Sequence, residues 1–227
     1  MADQADQIMQ NLRKMLLSMP DLRKVNTLRF GDQLNIEMIR MINELLPELE
    51  VLKMQYQNDS PSLYRGEPIN FKAVVELTVH ISGMGTHPSS RVPLKFDRLE
   101  HLVLNGYSCQ SQKWTEFIVQ NKQLRTLVLM PGLCILANEN MDQHLMQFAV
   151  QLTKLDELFV YGDFISSPEQ MIQFVGECKQ LRKLHLRFLY SDGEKRESFT
   201  VAMTSNWKVT QKRIEERCDD LIFEREI

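Results

Sequence analysis

Three histidines are the first residues in this chain that could do chemistry. His80, His101 and His185 each sit in a short apolar run. An imidazole there could ligate a metal or move a proton near neutral pH. Zinc would need its ligands about 2 Å from one point, and acid–base work would need hydrogen-bond reach. The four cysteines, Cys109, Cys134, Cys178 and Cys218, include no CxxC pair and no metal-ligand spacing. Such sparse cysteines suit a reducing compartment, cytoplasmic or nuclear. Gly83-Met84-Gly85 lacks the third glycine and the helix start of a phosphate-cradling loop. No GxSxG, HExxH or P-loop occurs. Asp219-Asp220 brings two carboxylates together near the C-terminus, where a solvated face is expected. Whether the histidines can meet depends on the elements that carry them.

Those elements repeat. A large hydrophobe, two residues, a second hydrophobe, one residue and a third recur seven times: Val25-Leu28-Phe30, Leu49-Leu52-Met54, Val74-Leu77-Val79, Leu99-Leu102-Leu104, Leu124-Leu127-Leu129, Leu155-Leu158-Val160 and Leu181-Leu184-Leu186. The middle members step by 24, 25, 25, 25, 31 and 26 residues. A period near 25 held over most of the chain predicts an α/β solenoid, a horseshoe of stacked repeats in which each buries its apolar face against its neighbours. Each triplet reads as a short strand, because its last two hydrophobes alternate with outward-facing neighbours. About seven parallel strands should line the concave side, with helices and loops mixed on the convex side.

The returns between strands differ. Ile36, Ile39, Ile42 and Leu45 recur at helical spacing behind Asn35 as N-cap. Trp114, Phe117 and Ile118 do so behind Ser111, and Met141, Leu145, Phe148 and Leu152 share a third helical face. Ser167-Pro168-Glu169-Gln170 predicts a capped helix start, with Gln170 closing a capping box and Met171, Phe174 and Val175 as its buried stripe. Returns 57–70 and 82–95 are rich in Gly, Pro and Asn and read as loops. Three residues before each triplet stand Leu22, Leu46, Phe71, Phe96, Asn121, Leu152 and Cys178, a core slot in which Asn121 is the exception.

Residues 1–190 should form the repeat array. Residues 1–18 supply a helix (Ile8, Leu12, Met15 and Leu16 on one face) or a partial repeat. Residues 191–227 should form a C-terminal cap: a surface loop at 191–196, a strand over Phe199–Met203, a helix over Trp207–Arg217 and a strand at Leu221-Ile222-Phe223. Length, 227 residues, and 43% hydrophobic content fit one domain. A net charge of −3 and no basic run longer than a pair such as Lys195-Arg196 argue against nucleic acid. The first residues carry no basic-then-apolar leader, and no stretch approaches about 20 apolar residues, so an intracellular chain without a membrane span is expected.

The LxxLxL pattern, over roughly residues 8–190, resembles the leucine-rich repeat family. Its period and helical returns are similar to the cysteine-containing and ribonuclease-inhibitor-like subclasses, common in F-box proteins that serve as substrate receptors of cullin-based ubiquitin ligases. The degenerate repeats most resemble insect F-box-like proteins. The resemblance implies the substrate-binding part of such a receptor, attached to its ligase adaptor through an F-box upstream of this chain. The alternative is a standalone scaffold or inhibitor of one protein. The family's Asn or Cys at the bend after each strand is replaced here by Gln33, Gln57, Ser82, Tyr107, Gly132, Asp163 and Leu189. Leu46-Pro47-Glu48-Leu49 resembles an F-box opening only superficially, since the second repeat already uses it.

In register, the outward rows of the strands are Arg29, Lys53, Thr78, Val103, Val128, Phe159, His185; then Gly31, Gln55, His80, Asn105, Met130, Tyr161, Arg187; then Thr27, Val51, Glu76, His101, Thr126, Glu157, Lys183. His80 and His101 fall on adjacent strands but four positions apart, near 13 Å at ~3.3 Å per residue. His185 is several repeats away. They are expected to be solvated surface residues, and no catalytic residue, metal site or cofactor is expected. Val103, Val128, Met130, Phe159 and Tyr161 instead form an apolar patch, bracketed by Arg29 and Lys53 on one side and Lys183, His185 and Arg187 on the other. An apolar patch with a charged rim predicts a bound protein or peptide.

Overall fold

A computed structural model describes residues 2–18, 25–34, 36–57, 67–82, 94–107, 112–131, 141–188, 193–203, 207–215 and 218–225. Each apolar triplet lies in or leads into a strand: β1 Thr27–Leu34, β2 Val51–Gln57, β4 Glu76–Ser82, β6 His101–Tyr107, β7 Thr126–Pro131, β8 Glu157–Tyr161 and β9 Lys183–Phe188. The seven pair side by side in sequence order and all in parallel. Leu28, Leu52, Leu77, Leu102, Leu127, Leu158 and Leu184 stand in register across them, each buried. A one-residue slip would turn that row to the other face, so the leucines themselves fix the register.

The turn into each of the six strands that follow β1 in this series repeats one hydrogen-bond device. Two successive backbone N–H groups donate to a single carbonyl of the preceding repeat: Glu50 and Val51 to Asn26, Val75 and Glu76 to Glu50, Glu100 and His101 to Val75, Arg125 and Thr126 to Glu100, Asp156 and Glu157 to Arg125, Arg182 and Lys183 to Asp156, all at 2.8–3.0 Å. Backbone groups that would otherwise be orphaned at a bend are thereby satisfied in each of these turns.

Helices cover the leucine face. They are α1 Ala2–Leu17, α2 Ile36–Leu45, α3 Gln112–Gln120, α4 Asp142–Gln151 and α5 Pro168–Glu177. Their expected stripes are buried with the leucines in one connected core, including Ile39, Ile42, Trp114, Phe117, Ile118, Leu145, Phe148, Met171 and Phe174. Met15 departs from its stripe and is exposed, while Leu12 and Leu16 of α1 are buried. Asn35, Ser111 and the side chain of Ile8 lie outside the described residues. Ser167 precedes α5 as expected, with Pro168 first in the helix, but makes no cap bond to the backbone. Its hydroxyl donates to the Glu169 carboxylate and holds that group below the usual carboxylate range.

The slot before each triplet is core, as the hydrophobes at Leu46, Phe71, Phe96, Leu152 and Cys178 require. Leu22 lies outside the described residues. Asn121 fits because its buried amide donates to the Phe117 carbonyl at 2.7 Å and closes the end of α3. Of the two returns expected as loops, residues 58–66 and 83–93, with Gly83-Met84-Gly85, lie outside the described residues. Both returns end in a short strand, β3 Ile69–Phe71 and β5 Leu94–Phe96. These pair in parallel and stack Phe71 on Phe96 at 5.2 Å.

The C-terminal segment corrects the sequence reading. Residues 193–203 are a helix, α6 Gly193–Met203, where a loop and a strand were expected. Residues 207–215 are a strand, β10 Trp207–Glu215, where a helix was expected. Buried Phe199 and Met203 are four apart and Val201 between them is 69% exposed, which is a helical period. Buried Trp207 and half-buried Val209 alternate with exposed Lys208 and Thr210, which is a strand period. The final strand, β11 Cys218–Arg225, is longer than expected. It inserts between β9 and β10, antiparallel to both. The fold is thus a mixed α/β arrangement with a nine-stranded, mostly parallel sheet, one face of which carries no helix among the described residues.

Candidate functional site

The outward rows assemble on the helix-free face. Arg29, Lys53, Thr78, Val103, Val128, Phe159 and His185 are paired in register from β1 to β9. The antiparallel partner of His185 is Ile222, so β11 extends this middle row by one more apolar residue. Val103, Val128, Phe159, His185 and Ile222 are each partly exposed and lie on five neighbouring strands. At ~4.8 Å per strand the stripe is about 19 Å long.

Its densest part is on β8 and β9. The Phe159 ring meets His185 edge-on with centroids 4.4 Å apart, and Tyr161 at 6.0 Å. The Arg187 guanidinium lies over Phe159 at 5.0 Å and beside Tyr161 at 6.0 Å. A guanidinium on an aromatic face is attracted by the ring quadrupole and spares the ring contact with water. Tyr161, expected to present its ring, is buried, with Phe164 of the following 3₁₀ turn packed at 6.4 Å. It packs edge-to-face against Phe159 from two positions further along β8.

Asp220 organises this cluster, and the solvated face expected for it is wrong. Its side chain is 3% exposed, and Arg187 grips it with two parallel bonds, Nε to Oδ1 at 2.8 Å and Nη2 to Oδ2 at 3.0 Å. Such bidentate pairs fix both position and plane of the guanidinium. His185 Nε2 also lies 2.7 Å from Oδ2, but the ring N–H is poorly aimed at it, so the contact is not a directed hydrogen bond and becomes an ion pair only when the imidazole is protonated. Burial opposes ionisation of Asp220, yet Arg187 and His185 outweigh it and hold the carboxyl below its usual range. Burial lowers the pKa of His185, helped by Arg187 and Lys183 and resisted by Asp220. The carboxylate raises that of Arg187.

The basic residues expected to bracket the patch are mostly neutralised. Lys53 pairs with Glu76 at 2.6 Å, Lys183 with Glu224 at 3.7 Å and Arg187 with Asp220. Arg29 is exposed on β1. His80 and Asn105 are brought together, the amide 3.2 Å from the imidazole nitrogens. His101 is exposed and stands four register positions from His80. Among the described residues no three His, Cys, Asp or Glu side chains converge as a metal would require. Met130 is partly exposed but beyond the paired stretch of β7 and β8.

The buried polar side chains on the helix side have structural partners. The Tyr107 hydroxyl lies 3.1 Å from Thr115 Oγ1, which lies 2.8 Å from His144 Nδ1. This chain links β6, α3 and α4 and satisfies the Tyr that replaces Asn or Cys at its bend. Cys178 is fully buried, and desolvation pushes its thiol up to about 11, which suits a core hydrophobe and not a nucleophile. Sequence reasoning missed Asp220 because it confined the last strand to Leu221-Ile222-Phe223, and it had no register that would bring Ile222 beside His185. The alternation Asp220, Ile222, Glu224 was the signal that could have found them.

No known family model matches the chain, and no curated protein matches it. Among the described residues, no helix is long and apolar enough to cross a membrane.

Proposed function

We propose that this chain is a non-catalytic protein-recognition module, a leucine-rich-repeat solenoid that holds a protein or peptide on the open face of its sheet. The observation that carries this is the half-exposed Phe159 ring, held rigid by Tyr161, His185 and the Asp220-clamped Arg187, at the centre of an apolar stripe. A rigid aromatic anchor at the centre of an apolar stripe is what the centre of a protein interface requires. Strand addition at an edge fits poorly. The β1 edge is broken by a register shift between Arg29 and Gln33, and the β10 edge carries the exposed Lys208.

The resemblance to F-box receptors supports a narrower role, as the substrate-holding arm of a cullin-based ubiquitin ligase. Co-purification of the native gene product with an F-box-binding adaptor tests that role. A stable complex with one protein and no adaptor would favour a standalone scaffold or inhibitor. The recognition function itself is tested by affinity capture from the chain's own cell extract with wild type, Phe159→Ala and Tyr161→Ala. Specific partners should be lost from both variants, each truncation costing about 2 kcal/mol of binding. Equal retention by both variants, with melting curves showing them folded, would overturn the proposal.

A further inference from the structure

Among the described residues, one carboxylate on the open face has no partner of its own. Glu76 is tied to Lys53, Glu224 faces Lys183, and Asp220 is clamped by Arg187. Glu157, exposed at the start of β8, makes no ion pair or hydrogen bond among the described residues. It stands two residues before Phe159 and so points to the same face, about 7 Å along the strand. Its register neighbours are Thr126 on β7 and Lys183 on β9, and the ammonium of Lys183 lies 3.7 Å from Glu224. Among the described residues, the cations on this face without an ion pair, Arg29 and Lys208, lie on the two edge strands.

Among the described residues, each carboxylate around the stripe is therefore paired with a cation except the one beside its aromatic anchor. A strongly charged partner gains little from a compensated rim. A partner with a single cation placed near its hydrophobic anchor gains at Glu157, and charge complementarity of this kind sets partner choice more than raw affinity. We infer that Glu157 is the specificity-determining residue of this face, and that the occupant is an apolar segment of another protein carrying Lys or Arg about 7 Å from the side chain seated on Phe159. This rests on the recognition function proposed above.

The test uses the full chain and a phage-displayed library of random 16-residue peptides, long enough to cross a 19 Å stripe as strand or helix. Wild type should select apolar sequences enriched in Lys and Arg. A selected peptide made synthetically should bind Glu157→Gln about fivefold and Glu157→Arg about twenty-fivefold more weakly, as for a rim ion pair removed and then reversed. Selection on Glu157→Arg should enrich Asp and Glu. Peptides that lose affinity with Phe159→Ala but bind Glu157→Arg within twofold of wild type would overturn this inference and leave the recognition function standing. If no selected peptide depends on Phe159, the recognition function falls and the inference with it. A Phe159-dependent dimer in analytical ultracentrifugation would make a second copy the occupant and likewise overturn it.

Discussion

Replacing Asp220 by Asn removes one charge and almost no volume, so its effect isolates the electrostatic role of the residue. The carboxylate is 3% exposed and holds Arg187 by two bonds of 2.8 and 3.0 Å. Breaking a fully buried pair by removing one partner costs about 3–5 kcal/mol, because the other charge is stranded. Arg187 is 25% exposed, so water screens part of that penalty, and the Asn carbonyl still accepts one bond. The expected loss is about 2–3 kcal/mol. For a chain of this size it lowers the melting temperature by about 5–10 °C in calorimetry. Arg187 and Asp220 sit on β9 and β11, which pair with each other and not with β4 or β6, so hydrogen exchange should quicken in β9 and β11 and stay slow in β4 and β6. The double variant Arg187→Met/Asp220→Leu should be less destabilised than Asp220→Asn alone, since it leaves no stranded charge. A loss below about 0.5 kcal/mol for Asp220→Asn, the scale of a surface ion pair, would refute the reasoning. So would a double variant whose loss equals the sum of the two singles.

Three further outcomes are expected. Gly106 has φ +85°, and a Cβ there would lie 2.5 Å from the Ile81 carbonyl oxygen, so Gly106→Ala should cost about 2 kcal/mol or more by urea unfolding; a cost under about 0.5 kcal/mol would contradict that geometry. Cys178, with its thiol near 11 and no exposure, should resist iodoacetamide at pH 8 in the folded chain and react on unfolding, as followed by peptide mass spectrometry; fast labelling of the folded chain would contradict its burial. Because the folded pKa of His185 is depressed, the unfolded chain binds its proton first, so this group's stability contribution is complete above about pH 6.5 and declines as pH falls below it. The depressed Asp220 adds a second decline below about pH 4. Urea midpoints from pH 8 to 3 should show both steps, and His185→Gln should remove only the first.

What could be read from the sequence was what depends on local period. The seven triplets specify strand, register and buried face together, because a parallel strand with one face on helices must alternate, and a row of leucines leaves only one register that buries it. The helices from α2 to α5 were legible for the same reason. The tail was not, because its apolar residues are few and its segments short. In Phe199–Met203 a contiguous apolar run resembled a strand, although Phe199 and Met203 alone are buried. In Trp207–Glu215 the charged residues resembled a solvated helix. The candidate site inherits both outcomes. Phe159, His185 and Arg187 were placed by the repeat register, whereas Asp220 and Ile222 reach the same face only because β11 runs back along β9, a tertiary pairing that no repeat announces.

That reversal bears on why a partner would use the face and not an end. A parallel sheet that simply stopped at β9 would present a row of unpaired N–H and C=O groups, a template for any passing strand. Here two antiparallel strands follow. The inner one pairs Leu221, Ile222 and Phe223 against Leu186, His185 and Leu184, continuing both the buried and the outward rows of the sheet. The outer one ends the sheet with the exposed Lys208, a charge that discourages a second copy from pairing there. The same hairpin supplies the acid that fixes Arg187 over Phe159. One segment thus closes the edge and stiffens the anchor, and removing it should harm both: a chain cut after residue 190 should lose the rigid aromatic cluster and gain a tendency to aggregate through β9.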